Sequence, residues 1–225
     1  LSVLKTKSQC LIIRTMEQEV KLPYCSRYFP GGQFKLGWLK AITSNDYISA
    51  RRLNWHSHDE LELIFPLRGH YRYEFKGRRS IPLDNQSFIV IPGGTPHRLD
   101  EAIDPPGGRI HLYLRKPSER STCKGAFSTA EYARLYQTLS SRSLKHLPSP
   151  PLLKNTIVPL GKIIIQNPLP LADGDEQQVR FLCCLALCIS ATGDLTTKLK
   201  SPSRIVAEAV DWLEQNYPTP IRMDS

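Results

Sequence analysis

No apolar run in the 225 residues is long enough to cross a bilayer. The longest nearly uncharged stretch is Phe181 to Ile189, well short of the roughly 20 residues a spanning helix needs. The chain starts Leu1-Ser2 with no basic segment leading into an apolar run, so no secretory signal is visible. Among six cysteines (Cys10, Cys25, Cys123, Cys183, Cys184 and Cys188) there is no Cys-x-x-Cys pair. That argues against a zinc ribbon or a thioredoxin-like site. Half of the cysteines lie in one apolar stretch, where thiols act as small hydrophobes, so reduced cysteines in a cytoplasmic protein are expected. There is no dense Lys/Arg block either. The net charge of +9 comes from scattered excesses of +5 in residues 1–40 and +5 in residues 117–165, while residues 201–225 sum to −2. Such a surface admits an anionic partner without the arm that grips phosphate. No internal repeat or low-complexity tract stands out.

What the chain has falls into zones. Residues 1–33 read as an N-terminal arm. Over 34–116, short alternating runs broken by turn residues predict a β meander closing into a barrel or sandwich. Tyr71, Tyr73 and Phe75 alternate with His70, Arg72 and Glu74; Phe88 to Ile91 is a short buried strand stopped by Pro92-Gly93-Gly94. Ile110, Leu112 and Leu114 alternate with His111, Tyr113 and Arg115.

Residues 117–197 turn helical. Ser128-Thr129-Ala130-Glu131 has the capping-box form. A proline-rich break precedes a helix expected over Leu152–Gln166, and Asp173 and Asp175 are expected to cap another over Glu176–Ala191, ended by Gly193. Its stripe of Val179, Leu182, Cys183, Ala186, Leu187 and Ser190 fits packing on the barrel and a dimer seam equally well. Residues 198–225 read as a proline-bearing linker and an amphipathic helix capped by Ser203, with Ile205, Val206, Ala209, Val210, Trp212 and Leu213 on one face. With nothing after it to cover that face, the chain reads as truncated at the start of a further domain.

The most specific chemistry starts at Trp55-His56-Ser57-His58, with Glu62 four residues past His58 and Gly69 seven further on. On a strand, His56 and His58 point to one side. Glu62 can return a carboxylate to the same space from the next strand. Pro92-Gly93-Gly94-Thr95-Pro96-His97 is a tight turn that delivers a further imidazole. Three imidazoles and a carboxylate suit one divalent transition metal such as Zn, Ni, Fe or Mn, with positions open for a ligand. The alternative is an organic-ligand pocket without metal. His70, His111 and His146 are assigned structural hydrogen-bonding roles.

His56-x-His58-x3-Glu62-x6-Gly69 and Pro92-x-Gly94-x2-His97 resemble the two motifs of the cupin family. The family's turn positions differ here, being Ala50, Gln86 and Glu101. The resemblance implies a cupin-type antiparallel β-barrel of jelly-roll form, followed by an α-helical segment. It also implies metal ligation by His56, His58, Glu62 and His97.

The segment Ile205 to Ile221 is further similar to the opening helix of the DNA-binding domain in AraC-type transcription regulators. That resemblance implies a small-molecule effector bound inside the barrel, near the four ligands; Tyr71, Tyr73 and Phe75 are candidate walls, and their alternation fits a filled core as well. It implies a homodimer, and DNA contact only through a helix-turn-helix domain beyond Ser225. A metal-dependent cupin enzyme (dioxygenase, isomerase or decarboxylase) acting on a small substrate fits the same ligand set. No catalytic residue stands apart from the ligands, and no membrane contact is expected.

Overall fold

The computed structural model describes residues 14–15, 18–19, 24–47, 50–100, 103–117, 127–166 and 171–193. The linker and helix expected over 198–225 lie outside these residues, as do Cys10, Cys123 and most of the N-terminal arm. In chain order, β1 (Arg14–Thr15) and β2 (Gln18–Glu19) form a two-stranded ribbon. They are followed by β3 (Tyr24–Pro30), a 3-10 turn (Gly31–Phe34), β4 (Leu39–Tyr47) and β5 (Arg51–Arg52). Then come β6 (Leu61–Arg68), β7 (Tyr71–Phe75), β8 (Ile81–Leu83), β9 (Ser87–Ile91) and β10 (His97–Leu99). β11 (Ile103–Asp104) and β12 (Gly107–Leu114) complete the barrel strands before the helices. Those are α1 (Thr129–Ser141), α2 (Pro151–Gln166) and α3 (Asp173–Thr192), with β13 (Leu147–Pro148) between the first two.

All pairing is antiparallel. One sheet has the order β13-β9-β6-β12-β4-β3, a second β10-β7-β8, and β11 pairs with β5. β3 pairs with β4 from Tyr24↔Tyr47 to Pro30↔Ala41, so this part of the expected arm is a strand of the larger sheet. Leu147 and Pro148 likewise extend that sheet from the helical zone by pairing with Phe88 and Ser87. The expected antiparallel barrel followed by helices is what the chain forms.

The barrel carries two apolar cores, one on each side of the larger sheet. Inside, Ile64, Tyr71, Tyr73, Phe75, Leu83, Ile89, Ile91 and Leu99 pack together. Outside, Leu61, Leu63, Phe65, Phe88, Val90, Ile110, Leu112 and Leu114 pack beneath the helices. β6 and β12 are therefore buried on both faces, and alternation along them sorts residues between two interiors rather than between core and water.

The helices hold together by the expected chemistry, except at the N-cap of α3. Ser128 caps α1 in a full capping box with Glu131, and the Tyr132 hydroxyl donates to the Arg115 carbonyl at 2.5 Å, tying α1 to the end of β12. Gly193 ends α3 in the left-handed conformation at φ 78°. The N-cap of α3 is Ala172, with no side-chain bond; Asp173, Asp175 and Glu176 sit in its first turn instead, where negative charge meets the free N–H groups. Its stripe is covered within the chain: Val179, Cys183, Ala186 and Leu187 are fully buried in the core shared with α2. Cys183, Cys184 and Cys188 are free, buried thiols, and burial raises the pKa of each.

Candidate metal centre

The site sits at one end of the barrel, where two irregular segments meet. Residues 53–58 do not form the strand expected for His56 and His58; only His56 is paired, in an isolated bridge with His97. Its backbone exchanges both bonds with His97, at 3.1 and 3.0 Å. Paired residues carry their side chains on the same face, which brings the two rings to 4.3 Å between centroids. The Pro92-Gly93-Gly94 turn docks on the loop before β6. A Cβ on Gly93 would lie 2.1 Å from the Asp59 carbonyl oxygen, and Gly94, at φ +75°, donates its N–H to the His58 carbonyl at 2.7 Å. Glycine is needed at the first position for close approach and at the second for its conformation.

This geometry brings His58, Glu62 and His97 together, with one ligand atom from each lying within 4.8 Å of the others. Glu62 Oε2 is 3.0 Å from His58 Nε2 and 3.4 Å from His97 Nε2. His56 stands outside this trio, exposed beside His97. Each histidine has its other ring nitrogen facing a backbone carbonyl. His58 Nδ1 is 3.0 Å from the Glu60 oxygen, His97 Nδ1 2.8 Å from Thr95, and His56 Nδ1 3.1 Å from Asn54. A carbonyl only accepts, so every Nδ1 carries the proton and every Nε2 of a neutral ring presents a lone pair. Two lone pairs and a carboxylate oxygen thus converge with no donor among them unless an imidazole is protonated. That is the donor set of a metal site, with backbone carbonyls behind the rings of the kind that orient ligating histidines. The residues fit one divalent transition metal, which would supply Lewis acidity and open coordination positions.

Behind the trio lies a network in which His111 takes the hydrogen-bonding role expected of it, with partners (Asn45, Asp104 and Arg109) that sequence reasoning did not single out. Glu62 Oε1 accepts from His111 Nδ1 at 2.7 Å. His111 Nε2 receives Arg109 Nε at 3.0 Å and Asn45 Nδ2 at 3.0 Å. Asn45 is held with its oxygen accepting from Tyr47 (2.7 Å) and Ser26 (2.9 Å), which leaves its amide free to donate. Two donors at Nε2 fix the His111 tautomer, with its proton directed at Glu62. Arg109 in turn forms a buried bidentate pair with Asp104, at 2.6 and 2.7 Å.

The titration shifts agree with this wiring. Burial lowers the His111 pKa against the pull of Glu62. Burial alone would raise that of Glu62, but the hydrogen bond from His111, joined by those from His58 and His97 when their rings take up a second proton, outweighs it and holds the carboxyl well below its usual range. For His58, desolvation acts downward, but the carboxylate of Glu62 prevails and raises it. The signal for His111 and Arg109 was present in the sequence: they alternate with Ile110 and Leu112, and only the helices covering the apolar face show that the polar face lines the barrel.

A cavity of about 210 Å³ opens onto these groups, lined among others by His56, Glu62, Tyr73, His97, Arg109 and His111. Of the three aromatics named as walls, Tyr73 lines it. Tyr71 lies under the Arg109 guanidinium (4.8 Å) and donates to the Arg68 carbonyl, and Phe75 packs near His97 with centroids 6.3 Å apart.

No protein-family model matches the chain, and no curated protein matches it. Solved structures do. Oxalate decarboxylase from Bacillus subtilis, described with Mn(II) centres, aligns over 41% of this chain and 25% of its own, at 18% identity and a TM-score of 0.34. KdgF from Halomonas sp. aligns over 43% of this chain and 84% of its own, at 18% identity and a TM-score of 0.32. The chain thus spans about a quarter of the oxalate decarboxylase it matches. By its own strand order and the placement of both motifs, the chain forms a cupin-type antiparallel barrel with helices on its outer sheet. Among the described residues, no helix is long and apolar enough to cross a membrane.

Proposed function

We propose that the barrel binds a small molecule at a divalent metal held by His58, Glu62 and His97, with His56 beside it. We further propose that this makes the chain the sensory part of an AraC-type DNA-binding regulator. The observation that carries the metal reading is the convergence of two Nε2 lone pairs and one carboxylate oxygen, each Nδ1 being committed to a backbone carbonyl.

The sensory reading is supported by the two-faced strands. Glu62 and His111 face the site while their neighbours Leu61, Leu63, Ile110 and Leu112 pack under the helices. A change at the ligand is thereby one residue away from the helical layer. Binding shifts a conformational balance only if the ligand prefers one arrangement. The resemblance of residues 205–221 to the opening helix of a DNA-binding domain supports the same reading, as does its implication of a homodimer in the cytoplasm that meets DNA through a C-terminal domain. A second reading, a metal-dependent enzyme, is favoured by the cavity itself: three protein ligands leave metal positions open toward enclosed space, where a substrate can be polarised.

The first test is metal content by mass spectrometry on protein purified without chelator or affinity metal, beside His97→Ala and Glu62→Ala. Near-stoichiometric metal that is lost in both variants is expected. A folded, metal-free protein would overturn the metal centre. The two readings then separate on the fate of a bound small molecule: recovered unchanged in the sensor, converted in the enzyme, as followed by NMR.

A further inference from the structure

Positive charge that is scattered along the sequence gathers at one corner of the fold. Lys76, Gly77, Arg78 and Arg79 lie in the turn between β7 and β8, and all four are exposed. Phe75, just before the turn, pairs with His97 in β10, and His97 is bridged to His56, so Trp55 comes to the foot of the turn. Arg98 pairs with Glu74 at 2.5 Å, which cancels its charge, and its guanidinium lies over the Trp55 ring at 4.7 Å. Lys76 Nζ is 5.6 Å from the centre of the same ring. Among the described residues, Lys76, Arg78 and Arg79 form no ion pair.

The fold asks for none of these three cations. The Arg78 N–H closes the turn on the Phe75 carbonyl at 3.1 Å, and only Gly77, at φ +71°, needs its residue type. A Cβ on Gly77 would meet no atom within 4 Å, so the tip stands clear of the rest of the chain. Small polar residues fill such turns at no electrostatic cost. Three like charges on so short a turn repel one another and have no room to spread. Beside them Trp55 keeps 36% of its surface exposed. Cations for phosphates and an aromatic ring for a base are what hold a single nucleic-acid strand. An acidic peptide would answer the cations but brings no base to set against the indole. A duplex keeps its bases in the stack, out of reach of the ring. We infer that the β7–β8 turn and Trp55 form a docking surface for single-stranded nucleic acid, with phosphates on Lys76, Arg78 and Arg79 and a base against the exposed part of Trp55. The charges are those of lysine and arginine, so the surface stands whether or not the metal position is filled.

The test follows the anisotropy of a labelled single strand of about 20 nucleotides with the whole chain, at about 50 and about 200 mM salt. It compares the wild type with Trp55→Ala and with the triple change Lys76→Gln/Arg78→Gln/Arg79→Gln, which alters exposed turn positions only. Three neutralised phosphates give a log–log salt slope of about −2, so wild-type affinity is expected to fall about twentyfold between the two salts. The triple variant is expected to lose at least about tenfold at the lower salt, with its slope flattened toward zero. Trp55→Ala is expected to lose at least about fivefold with its slope kept, the scale of one stacked base. Absence of binding at the lower salt overturns the inference. Unchanged affinity in the triple variant does so too, because the strand would then sit elsewhere on the basic surface. Equal affinity for polyglutamate overturns the nucleic-acid partner and leaves charge attraction alone. Unchanged affinity in Trp55→Ala overturns the base contact, and tighter binding of a duplex in that variant makes the partner double-stranded.

Discussion

His111 uses both ring nitrogens inside the barrel, and that commitment makes it a positioning residue rather than a ligand. Two N–H donors press on its Nε2, so its proton points at Glu62 Oε1 and turns the other carboxylate oxygen toward His58 and His97. Removing the support should loosen the metal without touching a ligand. His111→Leu is expected to weaken metal binding about 10–100-fold, measured by competition with a chromophoric chelator, and His111→Gln, whose amide can still donate, should restore part of it. Unaltered affinity in His111→Leu would mean that Glu62 orients itself. The same wiring gives the metal-free protein a pH signature. The His111 pKa lies below its ordinary 6.5 and that of Glu62 well below 4.5. A depressed folded-state pKa contributes stability above the unfolded value and loses it as pH falls through the folded one. Both groups therefore destabilise the fold on acidification, His111 from about pH 6.5 downward and Glu62 below about 4.5, with His58, whose pKa is raised, partly opposing them. Calorimetry of the metal-free chain should show Tm falling from pH 7 to pH 4, and a Tm that rises over that range would contradict the assignment.

At the scale of the element, α3 shows why an apolar stripe does not name its partner. Residues 182–191 are buried all round the helix, in contact with α1, α2 and the 3-10 turn. Arg142 from the end of α1 donates to the Ser190 and Ala191 carbonyls at 2.7 and 3.1 Å, satisfying acceptors that the helix end leaves open. Val179 and Leu187 are core residues of this chain. A Val179→Asp/Leu187→Asp double change, which a dimer seam would answer with a folded monomer, is expected to unfold the chain instead. Leu187→Ala alone should cost about 2–5 kcal/mol in denaturant titration; a loss below about 0.5 kcal/mol would show the site to be exposed. The strand β12 carries a related lesson. Its period of two was legible, but the period does not say which set faces which interior: the apolar set went under the helices and Arg109, His111 and Tyr113 went into the barrel.

For the whole molecule, the three described thiols report on cooperativity. Cys183, Cys184 and Cys188 are buried in the outer core, and burial pushes the Cys188 thiol up to about 12 and raises those of Cys183 and Cys184 as well. Only a thiolate alkylates readily. At pH 8 the native chain should leave all three unmodified by iodoacetamide, with labelling appearing together across the denaturant transition, as read by peptide mass spectrometry. Labelling of one thiol before the others would reveal that α3 opens separately from the barrel. The local code of this protein is readable along the chain: alternation for the strands, a Ser128–Glu131 box for α1, and Gly193 for the end of α3. Each depends on neighbours a few residues apart, as do the His56-to-Glu62 and Pro92-to-His97 motifs taken separately, so sequence alone carries them. Which face of each strand meets which interior depends on residues far along the chain, in helices that follow β12. Only that covering layer makes the larger sheet a wall between two cores and turns the polar face of β12 inward, where the hydrogen-bonding role expected of His111 falls on Glu62.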